Sequence, residues 1–197
     1  MNEGMGLPKL EKRVYSDPVN WVDKYADYLY RFAISRLLDE ELARDLVQDT
    51  FLAALQQLSK FEGKSDERTW LTAILKNKIV DVYRKKGKVG VSKIATAESD
   101  QEDFFDPENG HWNAEHYPKA FGLDEDNPLL RKELGQILAT CLKKLPALWF
   151  AVFSMKHMDD LKSESICAEL KLTDANFWVI MHRTKLNLRA CVQKNWN

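Results

Sequence analysis

Apolar residues recur at three- and four-residue spacing through most of the chain, and an alternating pattern of any length occurs nowhere. Residues three and four apart share one face of a helix, whereas a strand places alternate residues on one face. The fold is therefore predicted to be all-α, made of amphipathic helices that must bury their apolar stripes against one another. An aperiodic, acidic stretch over about 89–127 divides these helices into two groups, as a linker would. The predicted divisions are an N-terminal extension over 1–16, a first helical module over 17–88, the linker over 89–127 and a second helical module over 128–197.

In the first module Asp17 and Pro18 form a cap-then-proline start, followed by Trp21, Val22, Tyr25, Tyr28, Leu29, Phe32 and Leu37 on one stripe. Asp39 is the predicted cap of a second helix whose buried stripe is Leu42, Leu46, Val47, Phe51, Ala54, Leu55 and Leu58. A loop over 61–66 precedes a third helix, expected over about 67–86, with Trp70, Leu71, Ile74, Leu75, Ile79, Val82 and Tyr83 inward. In the second module Asn127 and Pro128 repeat the cap-then-proline start, and a further helix is expected over about 146–158. Ser163 is the expected cap of a short helix, Lys171 and Leu172 make a tight turn, and Thr173 caps a longer helix over about 174–192. Short helix, brief turn and longer helix form the helix-turn-helix pattern.

The net charge of −1 conceals an asymmetry: +2 over 1–90, −7 over 91–133 and +4 over 134–197. Two mildly basic ends around an acidic middle suggest separate modules. No run of about 20 apolar residues is present, and the first residues are charged throughout, so neither a membrane span nor a secretory leader is expected and the protein is predicted to be cytoplasmic. Cys141, Cys167 and Cys191 are odd in number and lie at apolar positions of helical patterns. They read as reduced, buried thiols ahead of a disulfide framework or a metal site, with a redox switch as the less favoured reading.

The string Asp45-Leu46-Val47-Gln48-Asp49-Thr50-Phe51, then Phe61-Glu62-Gly63, Thr69-Trp70-Leu71 and Asn77-Lys78-Ile79-Val80-Asp81-Val82-Tyr83-Arg84, resembles region two of extracytoplasmic-function (ECF) RNA polymerase sigma factors. Leu145-Pro146 and the C-terminal helix-turn-helix resemble region four of the same family. The resemblance implies a polymerase-dependent initiation factor that binds core RNA polymerase, recognises and melts promoter DNA, needs no cofactor or metal and carries out no catalysis itself. It also implies control by an anti-sigma factor, with no membrane contact except through a membrane-bound regulator of that kind.

Asp45, Gln48 and Asp49 are spaced to share one side of the second helix, while Leu46, Val47 and Phe51 serve its core or rim. By resemblance these six residues form the polymerase-binding face; met without that context, the triplet would read as a solvated acidic face. The resemblance likewise implies that Lys64, Ser65 and Arg68, in and beside the loop, help to hold a flipped base of the minus-ten element. Trp70, Asn77, Asp81 and Arg84 fall near one stripe of a helix roughly 30 Å long. Trp70 reads equally as core or as a stacking surface, Asn77 can read a base edge, and Arg84, Lys85 and Lys86 suit phosphates or a helix C-terminus.

Thr173, Asn176, Trp178, Val179, His182, Arg183 and Lys185 belong to the recognition helix and its cap, where the minus-thirty-five element is expected to bind. Family members commonly carry Lys-Ser-Arg where this chain has Trp178-Val179-Ile180, a departure that removes two charges. Apolar side chains can still meet thymine methyl groups and Arg183 and Lys185 can hold phosphates, so DNA binding is the first reading, with docking of Trp178 on the linker or a regulator as the alternative. His111 and His116 offer no regular metal geometry. By resemblance the linker either folds onto region four or threads toward the polymerase channel. A stand-alone helix-turn-helix regulator is the competing function, and it leaves the first 90 residues without a role; no spacing typical of hydrolases supports an enzyme.

Overall fold

The computed structural model describes residues 18–94, 104–106, 108, 110–119 and 127–196. Seven α-helices are found among them: α1 (Trp21–Leu37), α2 (Glu40–Gln56), α3 (Glu67–Ile94), α4 (Pro128–Lys143), α5 (Ala147–His157), α6 (Ser163–Leu170) and α7 (Asp174–Asn195). The chain divides into two compact units, one ending at Ile79 and one beginning at Val80. The all-α expectation holds among the described residues, whose only β feature is one antiparallel bridge between Phe105 and Trp112.

In the first unit, α1 ends as Leu38 turns left-handed (φ 56°) and its N–H bonds the Ile34 carbonyl at 3.0 Å. Asp39 caps α2, its carboxylate accepting the Leu42 N–H at 3.1 Å, as the sequence predicts. The expected cap Asp17 lies outside the described residues, and Pro18–Asn20 form a 3₁₀ turn ahead of α1. Ala33, Ala43 and Ala54 are buried beside Leu29, Leu46, Val47, Leu71 and Leu75, and such small side chains let helices approach closely. The buried Thr50 hydroxyl donates to the Leu46 carbonyl at 2.6 Å, leaving its polar atom satisfied. The Glu67 carboxylate accepts from the Trp21 indole at 2.9 Å and from the Tyr25 hydroxyl at 3.0 Å, which fixes α1 against the start of α3.

In the second unit, α5 is apolar nearly all round and is buried from Leu148 through Val152. Its Ser154 hydroxyl accepts from Tyr83 at 3.2 Å, and the Tyr83 ring meets Phe150 edge-on at 6.5 Å. Ile166, Leu170, Phe177, Ile180 and Met181 are buried as α6 and α7 pack on it. Lys171 takes a left-handed turn (φ 56°), the Leu172 N–H bonds the Cys167 carbonyl, and Thr173 caps α7 by accepting the Asn176 N–H at 3.2 Å.

Four expectations need correction. Helix α3 runs to Ile94, past the basic residues read as its end. Ser163 is the first helical residue of α6, with Lys162 at the cap position and no side-chain cap bond. Val22, Tyr28 and Leu55, assigned to the apolar stripes of α1 and α2, are 55%, 41% and 48% exposed, because the apolar arcs of both helices are narrower than the pattern suggested. Cys141 and Cys191 are joined in a disulfide across α4 and α7, with Cα atoms 5.8 Å apart, and only Cys167 is a free, buried thiol. Packing of α4 on α7 brings together two residues that are 50 positions apart in the chain.

The described part of the linker is ordered on α7. Asp106 and His111 pair through a 2.8 Å hydrogen bond, Asn113 bonds Phe104 at 3.0 Å, and Gly110 supplies the positive φ of 70° for the turn. Gln193 donates to the Tyr117 carbonyl at 3.2 Å and accepts the Lys119 N–H at 3.3 Å, while the Phe105 ring stacks at 6.5 Å on His182. Of the two placements expected for the linker, this is folding onto the C-terminal helices.

Candidate nucleic-acid interface

The three candidate surfaces lie on α2, on α3 with the loop before it, and on α7. On α2, Asp45, Gln48 and Asp49 are exposed, Leu46 and Val47 are buried, and Phe51 is half-buried. The apolar pair thus forms the base on which the polar triplet stands. Lys78 lies 3.8 Å from the Asp49 carboxylate in a largely solvated pair of small energetic weight. Sequence reasoning missed Leu52: at seven residues from Asp45 it falls in phase with the triplet, and it is 58% exposed. An exposed leucine on an otherwise polar stripe suits a docking face better than a solvated one.

The loop before α3 turns at Gly63 (φ 69°), and Asp66 caps the helix by accepting the Thr69 N–H at 2.7 Å. Bonding to Thr69 holds the Asp66 carboxyl below the usual range. Lys64 pairs with Glu62, Ser65 is exposed, and the Arg68 guanidinium stands 5.4 Å from the Tyr28 ring centre. Trp70 is half-buried, its ring 4.8 Å from Phe61 and 5.9 Å, edge-on, from Trp21. It therefore combines both readings of the sequence, being braced by two rings while keeping exposed surface. Asn77 is exposed about two turns further along the same face of the helix.

Further along α3, in the second unit, Asp81, Arg84, Lys85 and Lys86 are exposed. Arg84 is engaged: its Nη1 bonds Asp81 at 3.0 Å, its Nε bonds the Glu169 carbonyl at 2.9 Å, and its Nη2 pairs with the Glu169 carboxylate.

On α7, Thr173, Asn176, Trp178, Val179, His182 and Lys185 are exposed and Arg183 is half-buried. Trp178 is 61% and Val179 42% exposed, whereas Ile180 is fully buried. The run Trp178-Val179-Ile180 therefore divides: two side chains face outward and one belongs to the core. Partial burial first, then the cations Lys185 and Lys156, hold the His157 imidazole below its usual range.

The helix-turn-helix of α6 and α7 is a DNA-binding pattern, and the family model for sigma-70 region 2 matches residues 21–89, which take in α1, α2 and most of α3. The chain belongs to the RNA polymerase sigma factors, in the ECF class. It is 38% identical over 163 residues to the "Probable RNA polymerase sigma factor" of Haemophilus influenzae, covering 83% of each chain. It is 31% identical over 84 residues to the ECF RNA polymerase sigma factor SigX of Bacillus subtilis, covering 43% of each. Identity to SigM of the same organism is 22% over 174 residues, covering 88% of this chain and 93% of that one. Among the described residues no helix is long and apolar enough to cross a membrane.

Proposed function

We propose that this sigma factor docks on core RNA polymerase through the α2 face of Asp45, Gln48 and Asp49, extended by Leu52. Leu46, Val47 and Phe51 shape that face from beneath. The loop over 61–66, with Lys64 and Ser65, captures bases of the minus-ten element together with Arg68, Trp70 and Asn77, while Arg84, Lys85 and Lys86 face its phosphates and Asp81 orients Arg84. The first half of α7 enters the major groove at the minus-thirty-five element. The modules run over 17–88 and 128–197, with the linker over 89–127 between them.

The observation that carries this reading is the bracing of Trp70 by Phe61 and Trp21 beside a capped, exposed loop. A ring held on two sides is a preorganised stacking surface. Unstacking DNA costs roughly 1.4 kcal/mol per step, and each base stacked on an aromatic side chain returns about 1–3 kcal/mol. Capture of one or two bases thus offsets the opening of one or two steps, and no nucleotide hydrolysis by this chain is needed.

The protein acts in the cytoplasm, where its polymerase is, and has no catalysis of its own. An anti-sigma factor covers its surfaces when it is idle; support for this comes from the family and from the net charge of −1, which gives the free chain little affinity for DNA. The test is transcription from a promoter template by core polymerase with and without the purified chain, alongside binding of the chain to core. Specific initiation only with both components is the expected result. A specific footprint on duplex DNA by the chain alone, with no binding to core, would replace this reading with that of a stand-alone regulator.

A further inference from the structure

The Cys141–Cys191 pair is not accounted for by promoter recognition. A disulfide in a cytoplasmic protein is seldom permanent, because the thiol pool of that compartment reduces it. The two residues also differ in setting. Cys141 is 2% exposed, whereas Cys191 is half-buried and its sulfur receives the Asn195 amide at 3.8 Å. Both line a cavity of about 870 Å³ whose wall also carries Lys119, Lys144, Arg189 and Lys194. An open cavity that both cysteines line admits a small oxidant to them. Cys167 is the contrast: burial first, then its bond to Asp174, raise its pKa.

We infer that Cys141 and Cys191 form a reversible redox modification site whose oxidant is a small hydroperoxide, and whose closure locks α4 to α7. The Cys191 thiolate attacks a peroxide oxygen, the O–O bond breaks, and the departing alkoxide or hydroxide takes a proton. The resulting Cys191 sulfenic acid is attacked by the Cys141 thiolate, the S–S bond forms, and water leaves. Two thiols and one hydroperoxide thus give one disulfide, one alcohol or water, and one further water. A reducing dithiol returns the two electrons and two protons by exchange.

Closure acts where the linker is held. Cys191 lies between Arg189 and Gln193, whose side chains bond the Lys119 and Tyr117 backbone. Locking this turn to α4 therefore steadies the seat of the linker together with the frame of the recognition helix.

The inference rests on the proposed cytoplasmic placement, but its chemical readouts need no polymerase, so its failure and that of the proposed function can be told apart. The full chain is treated with hydrogen peroxide or dithiothreitol, denatured, and labelled with a maleimide. Peroxide should remove two of the three reactive thiols, and peptide mass spectrometry should join the peptides containing Cys141 and Cys191. The oxidised chain should melt at least ~5 °C above the reduced one, a shift lost in Cys141→Ser and Cys191→Ser and kept in Cys167→Ser. In intact cells, acid trapping and alkylation should find the pair reduced at rest and oxidised after peroxide. Three labelled thiols after peroxide, a bridge through Cys167, a melting shift that survives in Cys141→Ser, or a pair in one state in cells regardless of peroxide would each overturn it.

Discussion

Glu67 receives two hydrogen bonds from α1, and one of the donors, Trp21, is also a ring against which Trp70 rests. Burial first, then the bond to Glu67, raise the Tyr25 pKa. Glu67→Ala should cost about 1–3 kcal/mol by orphaning two part-buried donors, the Trp21 indole and the Tyr25 hydroxyl, and it should also change Trp70 fluorescence because the bracing ring is released. Thermal melting and emission spectra check this. Asp66 has a depressed carboxyl pKa, so its contribution is present above the ordinary carboxylate range and fades as pH falls through the lower folded value. The stability difference between the native chain and Asp66→Asn should therefore shrink below about pH 4, as read by melting across pH. At the interfaces, Trp70→Ala and Asn77→Ala should lower open-complex formation more than binding to core polymerase, and Asp49→Ala should do the reverse. Equal loss of both in all three variants would undo those assignments.

Helix α7 carries two jobs on adjacent residues. Trp178 and Val179 point to solvent and Ile180 to the core. Trp178→Ala should leave the melting temperature unchanged and weaken promoter binding by the assembled polymerase, whereas Ile180→Asp should unfold the C-terminal helices, since an unpaired buried carboxylate costs several kcal/mol. Much of this element was legible in advance: the Thr173 cap, the turn before it and the inward Phe177, Met181 and Leu188 all follow from spacing. The same spacing placed the α2 triplet outward but not Leu52, because periodicity reports which residues face the core and is silent on which exposed leucine is used. The extension of α3 to Ile94 was illegible for a local reason. Gly87 and Gly90 each disfavour a helix by about 1 kcal/mol, and basic residues commonly mark a helix end.

At the scale of the whole chain, the division into basic ends and an acidic middle predicts weak, salt-sensitive DNA binding by the free protein. Titration of fluorescent promoter DNA at two salt concentrations should give low affinity for the chain alone and a large gain on adding core polymerase. The covalent link between α4 and α7 could not be seen in one dimension, since pairing of cysteines 50 residues apart is a product of helix packing. That link makes the choice of laboratory buffer an experimental variable. Samples stored with dithiothreitol should hold the opened form, and a melting curve measured in them should differ from one measured after oxidation.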